Sequence, residues 1–147
     1  MGNQAQMNDV YILDTSALFS LRNEEPGVER VAGLLRHSEK GGMVGASFMS
    51  FMEFFYCIWR VEGHGEALRA YLELKMLPLK RVESSEKILL LAGEIKANYS
   101  LSLGDSWVAA TAMNENAILV HKDPEFEPLK DQLRLEALPY KSSTKMK

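Results

Sequence analysis

The sequence predicts a three-layer α/β/α domain with a central, mostly parallel sheet, and three observations lead there. Short apolar runs recur at Val10–Leu13, Met43–Ala46 and Ala117–Val120, as expected of strands buried on both faces. Between them lie stretches whose apolar residues sit three and four positions apart, the spacing of a helix with one buried stripe. The 147 residues, 46% apolar and 25% charged, suffice for one domain with a sizeable core. Strands alternating with helices in this way put a sheet between two helical layers.

Residues 1–6 are polar and unpatterned, a disordered leader or extension, with Met7 as an alternative start. The domain itself is expected over residues 7–140, followed by a basic tail, 141–147, with Lys141, Lys145 and Lys147. The first strand, Val10–Leu13, stops at Asp14; a short helix containing Ala17, Leu18 and Leu21 follows. Either Asp14 itself or the hydroxyls of Thr15 and Ser16 can cap it. Pro26-Gly27 marks a loop before a helix carrying Val28, Val31, Leu34 and Leu35, and Gly41-Gly42 ends that helix. Met43–Ala46 is the second strand, and Ser47 or Ser50 caps the long aromatic helix behind it. Gly63 and Gly65 break this helix, Glu66–Leu77 forms another, and Pro78 separates it from a brief strand at Leu79–Val82. Ser84 or Ser85 opens a helix with the stripe Ile88, Leu91, Ala92 and Ile95. Ser102-Leu103-Gly104-Asp105 starts the next, whose small residues permit close packing on the sheet. Beyond the strand Ala117–Val120 come the turn His121-Lys122-Asp123-Pro124, a short acidic helix or turn, and a last strand near Leu135–Leu138.

Several classes of function are set aside by composition. The apolar stretch Phe48–Trp59 is too short for a membrane span and contains Glu53. A secretory signal would need a basic start and an apolar core that the N-terminus lacks. With Cys57 as its one cysteine the chain has no internal disulfide and no thiolate metal cage, so a reducing, cytoplasmic setting is the expectation. No phosphate-binding glycine loop, serine-nucleophile elbow or recognisable Cys/His pair is present. A net charge of −3 argues against a surface coated in basic patches, but an acidic site can still take a polyanion once a bound cation reverses its local field.

Four acids stand out, each with a structural alternative. Asp14 ends the first buried strand, where ligands bind in parallel α/β sheets, although aspartate there also caps helices. Glu53 sits among Phe48, Met49, Phe51, Met52, Phe54, Phe55 and Tyr56. An unpaired carboxylate buried there is costly, so it is paired with Arg60 or Lys75, lies on a narrow stripe with Ser50 and Cys57, or holds a metal. Asp105 follows Ser102 at capping-box spacing, which suits the helix dipole as well. Asp123 precedes Pro124, a good N-cap arrangement, and also follows a buried strand. Oxygen donors without histidine or cysteine suit Mg²⁺ or Mn²⁺ rather than zinc. His37, His64 and His121 show no ligand spacing and are read as surface or packing residues; Lys122 is read as solvent-exposed, with phosphate neutralisation as its functional alternative.

The ordered set Tyr11–Leu18 (YILDTSAL), Glu53 in its helix, Leu101–Ala112 (LSLGDSWVAATA) and Ala117–Phe126 (AILVHKDPEF) resembles the PIN domain, specifically its VapC-type toxin branch. The resemblance runs from Met7 to about Tyr140. It implies a parallel sheet flanked by helices, an acidic pocket for one or two Mg²⁺ or Mn²⁺ ions, and hydrolysis of RNA. Asp14 and Asp105 match the family's principal metal-binding aspartates, Glu53 and Asp123 its other pocket acids, and Thr15 and Ser16 the hydroxyl position that orients the first aspartate. Gly104 and Ser106 stand where alanine is frequent. A homodimer and a small antitoxin that blocks the pocket with a basic side chain are implied too. The alternatives are a PIN nuclease of RNA processing or quality control without an antitoxin, and a silent RNA- or protein-binding PIN module, which retention of all four acids disfavours.

Overall fold

A computed structural model describes residues 9–141; the leader at residues 1–6 and the basic tail beyond Lys141 lie outside the described residues. In chain order the elements are β1 (Val10–Leu13), α1 (Thr15–Arg22), α2 (Val28–Glu39), β2 (Met43–Ser47), α3 (Phe48–Glu62), α4 (His64–Lys75) and β3 (Lys80–Val82). Then follow α5 (Glu86–Asn98), α6 (Leu103–Asn114), β4 (Ile118–His121), a 3-10 helix (Pro124–Leu129) and β5 (Leu135–Ala137). The five strands run in the order β3-β2-β1-β4-β5, and every pairing is parallel. The expected sheet is therefore wholly rather than mostly parallel.

The central strand explains the two cores. Successive side chains of a strand point to opposite faces, so Tyr11 and Leu13 join one apolar cluster while Ile12 joins the other. Leu18, Val31, Leu34, Phe51, Phe54 and Leu74, from α1 to α4, fill the first cluster. Ile88 and Ile95 of α5, Val108 and Ala109 of α6, and Phe126 and Leu129 of the 3-10 helix fill the second. Ile12 and Leu13 are both 0% exposed. Both faces of the sheet are covered, and β1 has to be apolar throughout. In α6, Ser106 and Val108–Ala112 are all buried, and the run of alanines lets the helix lie close on the sheet.

Most boundaries move by only a residue or two. Ser47, not Ser50, caps α3, accepting from the Met49 N–H at 3.0 Å; Ser50 is buried inside the helix. Ser85, not Ser84, caps α5 through the Ile88 N–H. The chain breaks once after α3, at Gly63 with φ 96°. Gly65 is taken into the first turn of α4, where N–H groups need no intrahelical partner and a helix is least demanding.

Gly45 has a specific steric task. A Cβ there would lie 2.8 Å from the Lys80 carbonyl oxygen and 3.3 Å from Val82 Cγ2, so a side chain would push β3 off the sheet. Gly45→Val is expected to cost about 1–3 kcal/mol through overpacking, read as a lower urea midpoint. An unchanged midpoint would refute the close approach.

Candidate active site

The strand order reverses at one place. From β1 the chain builds outwards through β2 to β3, then returns to lay β4 and β5 on the other side of β1. A crevice opens beyond the carboxyl ends of the strands at such a reversal. Asp14 stands at that end of β1, and its N–H donates to the Val120 carbonyl of β4 at 2.9 Å. Asp123 lies two residues past β4. The first turn of α6 adds Asp105 and the second turn of α3 adds Glu53. All four acids, with Thr15 and Ser16, line a single cleft of about 390 Å³.

Asp14 is 4% exposed. It caps α1 itself: Oδ2 accepts the Ser16 N–H at 3.1 Å and the Ser16 hydroxyl at 2.5 Å. The hydroxyls of Thr15 and Ser16 do not replace it as cap. Ser16 Oγ in turn accepts the Lys122 N–H at 3.0 Å, which ties α1 to the turn after β4. Burial above all, with the charge of Glu53 adding, pushes the Asp14 carboxyl up to about 6 against the opposing pull of the Ser16 bonds.

Glu53 is not paired with Arg60 or Lys75 among the described residues; half-buried, it lines the cleft together with Cys57. Its Oε1 accepts the Thr15 hydroxyl at 2.7 Å, and its neighbour on the supposed stripe, Ser50, is buried. Asp105 is half-buried. Its N–H donates to Ser102 Oγ at 3.1 Å, so Ser102 caps α6 as its spacing suggests. Burial first, then the charges of Asp14, Asp123 and Glu53, push the Asp105 carboxyl up to about 7. Asp123 caps the 3-10 helix, its Oδ1 accepting the Glu125 N–H at 2.9 Å, while its own N–H donates to His121 Nδ1 at 3.1 Å. His121 is buried and its pKa is lowered, chiefly by desolvation, in keeping with a packing role.

Oxygens of Asp105, Asp123 and Glu125 come within 4.8 Å of one another, close enough to share a cation. Asp14 and Glu53 complete the acidic lining. Glu125 escaped the reading of the sequence because it sits in a turn whose acids look like ordinary helix-end charges. Lys122 is a correction. Its side chain is 3% exposed, not solvated. Nζ donates to Glu25 Oε1 and to the Pro26 carbonyl, both at 3.0 Å, since a buried ammonium has to be paired. Glu25 and Lys141 also line the cleft, and no local pattern in the sequence marks either.

The family model for the PIN domain matches residues 11–131. Among solved structures, the chain is similar to VapBC2 from Rickettsia felis bound to a DNA fragment from their promoter, with a TM-score of 0.73 and 21% identity, covering 88% of this chain and 99% of that one. It is similar to VapBC-1 from nontypeable Haemophilus influenzae, with a TM-score of 0.69 and 24% identity over 87% and 97% of the two chains. It also resembles VapC20 from Mycobacterium tuberculosis, a sarcin-ricin loop cleaving toxin, with a TM-score of 0.61 and 19% identity over 80% and 93%. A search of the curated proteins finds no match. No helix among the described residues is long and apolar enough to cross a membrane. The matched segment takes in Tyr11–Leu13 of the central strand and every acid of the cleft, and the chain belongs to the PIN domain family.

Proposed function

We propose that this chain is a metal-dependent endoribonuclease, specifically the toxin of a toxin–antitoxin pair. The observation that carries the reading is the convergence of Asp14, Glu53, Asp105 and Asp123 on one cleft at the strand-order reversal. Two of these carboxyls are pushed up to about 6 and about 7 by burial and by their neighbours' charge. Such crowding is relieved by a bound dication, and an all-oxygen donor set suits Mg²⁺ or Mn²⁺. The RNA substrate and the small antitoxin are supported by family membership and by fold neighbours that include VapBC complexes and a loop-cleaving VapC. A homodimer remains what the family resemblance implies, and residues 7–140 form the nuclease unit.

In this mechanism Asp14 and Asp105 are the principal metal holders, with Glu53 and Asp123 as further ligands or as acceptors that position water. When bound, the ion supplies a water of lowered pKa and a counter-charge for the leaving oxygen. Ser16 fixes the rotamer of Asp14, and Thr15 fixes that of Glu53. The α3 and α6 helices hold their acids against mutual repulsion, so the site is formed before substrate arrives.

Incubation of purified protein with defined RNAs, with and without Mn²⁺, tests the reaction. Asp14→Asn and Asp105→Asn are each expected to lower cleavage by at least about two orders of magnitude while leaving the circular dichroism spectrum unchanged. Undiminished cleavage by either variant removes the mechanism.

A second prediction follows from the pH behaviour of the acids. Asp14 and Asp105 have folded values raised above the ordinary aspartate value of 3.8, so the native state holds their protons more tightly than the unfolded chain. Their effect on stability is most favourable at low pH and is lost as pH rises through about 6 and 7. In metal-free buffer, Asp105→Asn should melt above wild type at about pH 8, by a smaller margin at about pH 5, and close to it only below about pH 4. Mn²⁺ should raise the wild-type midpoint at the higher pH and do little at the lower. Each 1 kcal/mol corresponds to about 4 °C in a chain of this size. A pH-independent difference between variant and wild type would contradict the crowding.

A further inference from the structure

The cleft contains two cations among the described residues that line it, Lys122 and Lys141. They differ sharply in what they can do. The Lys122 ammonium is buried and its donors are directed at Glu25 and the Pro26 carbonyl. The Lys141 side chain is 71% exposed, and its Nζ lies 3.5 Å from Glu25 Oε2. Glu25 is thus shared, one oxygen taken by a buried ammonium and the other facing an exposed one.

Glu25 is itself well held. Its N–H donates to the Ser20 carbonyl at 2.9 Å and its carbonyl accepts the Val28 N–H at 3.0 Å. Lys122 lowers the pKa of the Glu25 carboxyl, offsetting its desolvation, so the tether stays charged. A long exposed lysine normally loses considerable rotamer entropy on being placed. Here a fixed carboxylate localises it at the mouth of an acidic cleft. The Lys141 contact to Glu25 is an ion pair at 3.5 Å, which leaves the donors of the ammonium for an incoming anion. A polyanion approaching a chain of net charge −3, beside a cluster of acids, needs such a cation to offset repulsion.

We propose that Lys141, tethered by Glu25, is the phosphate-binding cation of this cleft and contacts a non-bridging phosphate oxygen of single-stranded RNA next to the acids. The substrate class rests on the nuclease reading above; the tether and the exposed ammonium do not. Glu25 is a positioning residue and Lys122 its anchor.

Binding rather than turnover tests this. A short fluorescein-labelled single-stranded oligouridylate is titrated in the Asp105→Asn background, by anisotropy over a range of salt concentrations. Lys141→Gln should raise Kd about threefold to tenfold and reduce the slope of log K against log salt by about 0.7, one phosphate contact on a single strand. Lys141→Arg should restore both. Lys96→Gln, an exposed lysine on α5 away from the cleft, should change neither. A Lys141→Gln chain with unaltered slope and affinity, or an oligouridylate that no variant binds, overturns the proposal. Because binding is read in an inactive background, the two readings fail separately: loss of the Lys141 effect overturns this proposal, whereas a wild-type chain that cleaves no RNA with Mn²⁺ overturns the nuclease reading and leaves the cation in place.

Discussion

Carboxylates that repel one another have to be held in place by something other than each other. In this protein the holding begins with a short hydrogen-bonded chain, Lys122 N–H to Ser16 Oγ and Ser16 Oγ–H to Asp14 Oδ2. It joins the turn after β4 to the first turn of α1 across the place where the strand order reverses. Thr15 extends the same principle to α3 by donating to Glu53. The neighbouring residues Thr15 and Ser16 thereby link three elements around the cleft. Without them, the penalty visible in the raised Asp14 and Asp105 carboxyls would be relieved by side chains swinging apart.

The caps show how little separates stability from chemistry at this edge. A carboxylate ending a strand and beginning a helix satisfies N–H groups that have no intrahelical partner. Asp14 and Asp123 both do so, and both also line the cleft. One oxygen of each serves the backbone, while the carboxyl group as a whole faces the shared space. Capping and ligand binding are therefore not rival explanations for these residues. An asparagine at either position retains an oxygen that can cap and removes the charge.

Much of the fold was legible because it rests on local pattern. The apolar runs of β1, β2 and β4 and the stripes of α2 and α5 appear within a few residues of chain, and Asp14 and Asp123 are visible as acids that end buried strands. Glu53 stands out by being charged in a helix of aromatics. What stayed hidden depends on distant partners. Lys122 looks exposed by composition and is buried only because Glu25, 97 positions earlier, crosses the same cleft. Gly45 is an unremarked residue until β3 is placed beside it. Single-window hydropathy cannot register a pairing of that range, and for the same reason the places of Glu25 and Lys141 in the cleft leave no local trace.

Both rims of the sheet are short. The three-residue strand β3 carries exposed Lys80 and Arg81, and the three-residue strand β5 has Glu136 clasped by Arg30 of α2 at 2.6 Å. Brief, charged margins offer a poor template for another polypeptide to lengthen the ladder. Edge-to-edge strand addition is accordingly disfavoured, a safeguard against fibrous growth built into the ends of the same sheet whose middle carries the acids.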